Sequence, residues 1–139
     1  MSKIIQNAVY IPEDNIYLVS SHVHDFIEWA SDKDGASYFI DGGREYFRSC
    51  NDILNLEGAS RIIDYRLTED TPWELIATHL LWGTRGVNGD KPLTYKPIMS
   101  LTIDHLRAIL KTQPQIVGTI TEKVVKHWIE QKIEERLIT

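Results

Sequence analysis

The sequence predicts an α+β fold, an N-terminal antiparallel β-sheet followed by C-terminal helices, in a chain of 139 residues. Three observations lead there. Apolar residues alternate loosely with polar ones between turn-forming clusters over residues 8–67, the period of half-buried strands. The apolar spacing then lengthens to a helical period over residues 72–137. No internal repeat, low-complexity run or linker interrupts the chain, so residues 1–139 read as a single domain.

Residues 8–20 have the pattern of a hairpin: Val9, Tyr10 and Ile11 face Ile16, Tyr17, Leu18 and Val19 across the turn Pro12-Glu13-Asp14-Asn15. A second pair begins with residues 23–30, where Phe26, Ile27 and Trp29 favour strand, and it breaks at Ser31-Asp32-Lys33-Asp34-Gly35. Tyr38-Phe39-Ile40 resumes the strand, Asp41-Gly42-Gly43 permits the positive φ of a tight turn, and Glu45-Tyr46-Phe47-Arg48 returns. Another strand is expected over residues 61–67. Thr71-Pro72-Trp73-Glu74 then has a capping Thr, Pro at the first helical position and Glu three residues after the cap. That helix is expected to run to about Trp82 and stop at Gly83. Thr102 caps a second helix, with Asp104 at its positive end and Leu106, Ile109 and Leu110 on one face, until Pro114. Over residues 121–137, Val124, Val125, Trp128, Ile129 and Ile133 recur at helical spacing with charges opposite.

Composition narrows the function. Fifteen basic and twenty acidic residues give a net charge of −5, a field that repels polyanions, so no polymeric nucleic acid is expected as a partner. A small phosphorylated ligand needs only a local cluster of cations and backbone donors. Cys50 is the single cysteine, which excludes an internal disulfide and agrees with a reducing compartment. The N-terminal apolar pair is too short for a signal-peptide core, and no run reaches membrane-spanning length. A cytoplasmic protein with no membrane partner is expected.

The most informative segment is Trp82-Gly83-Thr84-Arg85-Gly86-Val87-Asn88-Gly89-Asp90-Lys91-Pro92-Leu93-Thr94-Tyr95-Lys96. Three glycines within seven residues let backbone approach a ligand, Arg85 and Lys91 add cationic donors, Asn88 a two-sided amide and Tyr95 an aromatic face. It lacks the Gly-Lys-Ser/Thr ending of a Walker loop, and with no strand expected before it the segment is not a dinucleotide fingerprint. The plainer reading is a helix-to-helix connection rich in turn formers.

His22 and His24 fall on one face of a strand with Asp25 on the other, and two imidazoles can share a metal or ligand, but no further carboxylate or histidine completes the set, so no metal is expected. Asp41-Gly42-Gly43 with Tyr46 and Arg48 is either a hairpin turn or a ligand edge. His79, His105 and His127 lie on predicted helices, where a lone histidine is ordinarily structural. Neither a nucleophile elbow nor a catalytic-cysteine signature is present, so no catalytic residue, no enzyme and no cofactor are expected.

His24-Asp25-Phe26, Phe39-Ile40-Asp41-Gly42-Gly43-x-x-Tyr46-x-Arg48, the segment from Trp82 to Tyr95, and Asp104-His105-Leu106 together resemble a family of small bacteriophage proteins, the Thoeris anti-defence signal sponges. The resemblance spans about residues 9–128. It implies a non-enzymatic binder of cyclic ADP-ribose isomers made by TIR defence proteins, with some members also holding cyclic di- or trinucleotides at a separate site. It further implies a β-sheet with C-terminal helices, homo-oligomerisation, ligand at subunit junctions and the host cytoplasm as the place of action.

Sequestration requires affinity without turnover: arginines for the pyrophosphate, an aromatic for the adenine, and amide or hydroxyl groups for ribose. Arg85, Arg107, Tyr95, Asn88 and Thr94 supply that set, with Lys91, His24, Tyr46 and Arg48 as further candidates. One alternative is a phage interaction or inhibitor module without a nucleotide ligand, in which Trp73, Trp82 and Trp128 build the interface. A small hydrolase using His24 and Asp25 is the other.

Overall fold

A computed structural model describes residues 3–22, 26–30, 37–49, 62–86 and 89–138. The fold is α+β: among the described residues, antiparallel sheets lie mostly in the N-terminal part and the last of three α-helices lies at the C-terminus. Two compact units are formed, Met1–Thr71 with Gly83–Tyr95, and Pro72–Trp82 with Lys96–Thr139.

In the first unit, β1 (Ile4–Gln6) pairs antiparallel with β8 (Leu67–Thr68). β2 (Ala8–Ile11) is the centre of a sheet ordered β3-β2-β7, between β3 (Ile16–Val19) and β7 (Ile63–Asp64). β5 (Ser37–Asp41) is the centre of another, between β4 (Ile27–Ala30) and β6 (Arg48–Ser49). Alternation sets the faces: Tyr10 opposes Tyr17 and stacks on it at 4.4 Å between centroids, while Val9, Ile11 and Leu18 turn the other way into the core with Tyr38, Ile40 and Ile62.

The predicted Ala8–Ser20 hairpin is present, with Asn15 at φ 51° in its turn and the Tyr10 hydroxyl donating to Asn15 Oδ1 at 2.8 Å. The Asp41-Gly42-Gly43 turn is also present, with φ of 102° at Gly42 and 53° at Gly43. Strand resumes only at Arg48, because Glu45 and Tyr46 donate their backbone N–H groups to Gly42 O and stay in the turn. The single strand expected over 61–67 is two short ones, β7 and β8, in different sheets. Residues 23–25, the turn at 31–35 and Cys50 lie outside the described residues.

In the second unit, α1 (Trp73–His79) has Pro72 as its N-cap, one position before the first helical residue where it was expected, and Thr71 does not cap it. Thr71 Oγ1 instead accepts from Thr68 N at 2.9 Å, closing the turn that follows β8. The helix does not reach Trp82: the chain becomes extended at Leu80, with φ −67° and ψ 130°, and Leu81–Thr84 is a strand, β9. A backbone bond from Ile98 N to Leu80 O, 2.9 Å, anchors that break. α2 (Ile103–Thr112) starts as predicted, with Thr102 Oγ1 accepting from His105 N at 3.2 Å. α3 (Ile120–Ile138) packs on α2 and buries Val124 and Val125 completely, while Trp128 donates from Nε1 to Ala77 O of α1 at 2.8 Å. No helix among the described residues is long and apolar enough to cross a membrane.

Candidate ligand-binding site

The glycine-punctuated segment is a β-hairpin, not a helix-to-helix connection, and a strand does precede it. β9 (Leu81–Thr84) pairs with β10 (Thr94–Pro97), and the loop between them is closed at its base by Lys91 N donating to Arg85 O at 2.9 Å. Inside that closure Gly89 N donates to Gly86 O at 3.2 Å, with φ of 84° at Gly86 and 71° at Gly89, conformations that glycine adopts without strain. Thr84 Oγ1 accepts from Gly86 N at 3.1 Å and steers the chain out of β9. A Cβ at Gly86 would lie 3.1 Å from Lys91 Cδ, so the lysine stem runs along the bare backbone opposite it.

Arg85 and Lys91 are both exposed, and neither is in an ion pair among the described residues. From Gly83 to Lys96 the sequence carries three basic residues, Arg85, Lys91 and Lys96, against one acid, Asp90. The hairpin is thus a local cationic feature on a chain of net charge −5.

Tyr95 has a structural task. Its ring lies over Gly83, where a Cβ would meet Cε1 at 3.0 Å, with Leu93 Cδ1 at 3.2 Å. One side of the ring is therefore spent on the β9 backbone. Thr94 Oγ1 approaches Thr84 O at 3.5 Å and is turned along the ribbon. Asn88 lies outside the described residues, as does His24.

Tyr46 and Arg48 belong to the same unit, Tyr46 in the turn after β5 and Arg48 at the start of β6. Arg48 Nη1 donates to Asp41 Oδ2 at 3.4 Å, and its guanidinium sits 5.7 Å from the Phe39 ring centroid, with Phe26 stacked on Phe39 at 5.4 Å. Tyr46 is exposed. Arg107 is exposed on α2, in the second unit. The structure therefore collects Arg85, Lys91, Thr94 and Tyr95 on one hairpin, has Tyr46 and Arg48 on the turn and strand that follow β5, and has Arg107 on α2 of the second unit.

The support beneath the Tyr46–Arg48 turn went unread in the sequence. Asn7, 1% exposed, donates from Nδ2 to the carbonyls of Asp41 at 2.8 Å and Gly43 at 2.9 Å, with Tyr46 O at 3.3 Å. Ser20 Oγ accepts from Gly43 N at 2.9 Å, and Asp41 Oδ1 accepts from Gly42 N at 2.7 Å. A Cβ at Gly42 would fall 2.0 Å from Tyr46 O, which fixes glycine there. Its one signal in the sequence is a polar Gln6-Asn7 pair between the apolar Ile4-Ile5 and the apolar run from Ala8.

Among the described residues, no group of three or more His, Cys, Asp or Glu side chains is placed to hold a metal ion. Among the described residues, Tyr17 has its phenol raised well above the ordinary tyrosine value by burial and then by the Tyr65 hydrogen bond. No protein-family model, curated protein or solved structure matches the chain.

Proposed function

We propose that this chain is a non-enzymatic phage anti-defence protein that sequesters a cyclic nucleotide immune signal, a cyclic ADP-ribose isomer, in the host cytoplasm and so blocks Thoeris-type TIR immunity. The ligand class comes from the resemblance of the sequence motifs, which extends to cyclic di- or trinucleotides at a separate site and to a homo-oligomer. The observation that carries the binding is the hairpin tip, where Arg85 and Lys91 flank glycine backbone with no carboxylate partner among the described residues. A guanidinium offers a planar fork to a phosphate, and the lysine adds a point charge beside it. Arg107 enters as a second phosphate contact tested separately from the hairpin.

Titration calorimetry with a cyclic ADP-ribose isomer tests the reading. Arg85→Ala removes a charge-assisted contact worth roughly 1.5 to 3 kcal/mol, about ten- to a hundredfold in affinity, and Arg85→Lys recovers part of it. Heat denaturation of the loaded protein returns the ligand intact, whereas a cleaved product would make the chain an enzyme. Unchanged binding by Arg85→Ala would rule out the hairpin as a binding site, and unchanged binding by Arg107→Ala would rule out α2.

A second reading is favoured by one feature of the first unit. Phe26, beside strand β4, is 52% exposed while it stacks on Phe39 at 5.4 Å, an aromatic surface of the kind that docks proteins. If the parent binds no nucleotide signal, the chain is an interaction module acting through that surface.

A further inference from the structure

Between α1 and α3, the second unit carries a groove of about 410 Å³ lined by Trp73, Lys123, Lys126, His127 and Glu130. We infer that this groove is a binding site for a small organic oxyanion, a phosphate monoester or a carboxylate joined to a flat apolar body. It lies wholly within the second unit and is independent of the hairpin reading.

The aromatic wall is built before any ligand arrives. Trp128 is pinned by its Nε1 bond to Ala77 O at 2.8 Å. His127 stands edge-on to Trp128, with centroids 4.9 Å apart, and edge-on to Trp73 at 5.4 Å. Three rings thus hold one another at fixed angles, and a rigid aromatic surface contributes contact area with little conformational entropy to lose.

The cations are disposed along that wall. Lys123 Nζ rests 4.5 Å from the Trp73 ring centroid, a cation–π contact that places the ammonium without neutralising it. Lys123 is in no ion pair among the described residues, so its three N–H donors keep their full demand for an acceptor. Lys126, one turn further on, has a single long contact of 3.8 Å with Glu122 Oε1, and Glu122 also accepts from Gly118 N at 3.2 Å. A single contact of that length from a lysine whose side chain is 59% exposed is weak enough for an oxyanion to compete for it. Glu130 lies at the other end of the same face of α3 and repels a second anionic group, which favours ligands with one anionic head. A flat body has the indole of Trp73 to lie against.

Phenyl phosphate and benzoate, titrated separately into the full chain, are the probes. Amide shifts are followed by NMR and indole emission by fluorescence, with melting curves for every variant. Saturable shifts confined to Trp73 and residues 123–130 are expected for at least one probe, and the stronger probe names the head group. Lys123→Gln weakens binding about tenfold, and Trp73→Leu abolishes the fluorescence response. Lys111→Gln, an exposed lysine on α2, leaves binding unchanged. The inference is overturned if neither probe saturates by tens of millimolar, if shifts spread over the surface, or if Lys111→Gln weakens binding as much as Lys123→Gln does.

Discussion

Truncating Asn7 to Ala should cost the first unit about 2 to 3 kcal/mol, and the figure can be worked from its contacts. The carboxamide nitrogen has two hydrogens and three carbonyls within reach, at 2.8, 2.9 and 3.3 Å, so the two short contacts count fully and the third is shared. Stranding two buried carbonyls costs roughly 1 to 3 kcal/mol each. Against that, Asn7 Oδ1 is buried without a donor among the described residues, and removing it relieves a desolvation penalty of roughly 1 to 2 kcal/mol. For a chain of this size each kcal/mol lowers Tm by roughly 3–5 °C, so the melting point should fall by roughly 10 °C.

Asn7→Asp probes the same contacts with a sign. The substitution keeps the shape but turns a carboxylate oxygen toward three carbonyl oxygens, so the folded protein disfavours the ionised form and the introduced carboxyl titrates above its unfolded value. A folded pKa raised in this way makes the variant most stable in acid, with stability lost as pH rises from the unfolded carboxylate value through the folded one. Asn7→Ala has no such dependence. Thermal melts of parent and both variants between pH 4 and 8 decide the matter. The reasoning fails if Asn7→Ala melts within a degree or two of the parent, or if Asn7→Asp is no worse at pH 7 than at pH 4.

Tyr17 gives the opposite end of the pH scale: its phenol is raised by burial, so its contribution is complete below the unfolded tyrosine value of about 10 and is lost above it. Tyr17→Phe should therefore lose less Tm than the parent between pH 9 and 11, and parallel curves would remove the phenol from the account. Thr102→Ala removes the hydroxyl that accepts from His105 N and should cost about 1 kcal/mol, whereas Thr71→Ser, which keeps the bond to Thr68 N, should leave Tm within a degree or two of the parent. A homo-oligomer is expected to use the exposed Ile133 and Leu137 of α3, so sedimentation at tens of micromolar should give more than the 16.0 kDa of one chain, and Leu137→Glu should return it toward that mass.

What the sequence disclosed of the fold was local. The Ala8–Ile11 and Ile16–Val19 hairpin, the Gly42-Gly43 turn, the Thr102 cap and the long last helix each follow from residues within a few positions of one another. What stayed hidden depends on distant partners. Ile4–Gln6 is a strand because Leu67–Thr68 pairs with it, some sixty residues away. Leu80-Leu81-Trp82 reads equally as the end of a helix or as a strand, and the competition is decided by Ile98 N reaching Leu80 O and by the pairing of β9 with β10. Thr71 has the right chemistry for a cap, but Thr68 N takes its hydroxyl.

The candidate site divides along the same line. Composition alone marked Arg85, Lys91 and the glycines as a cationic loop, because donor chemistry and backbone freedom are properties of the residue. The availability of each group was not legible, since it depends on what else claims that group. Tyr95 looks like a free aromatic face until Gly83 is found beneath its ring, and Arg48 looks like a free cation until Asp41 and Phe39 are found beside it. Lys123 runs the other way: as a helix-face charge it reads as solvated surface, yet the Trp73 indole holds it in place while leaving its charge intact. A residue suited to bind is recognised by its type, but one free to bind is recognised only by the groups around it. By that criterion Arg85, Lys91 and Lys123 are the cations on which both binding readings should be tested first.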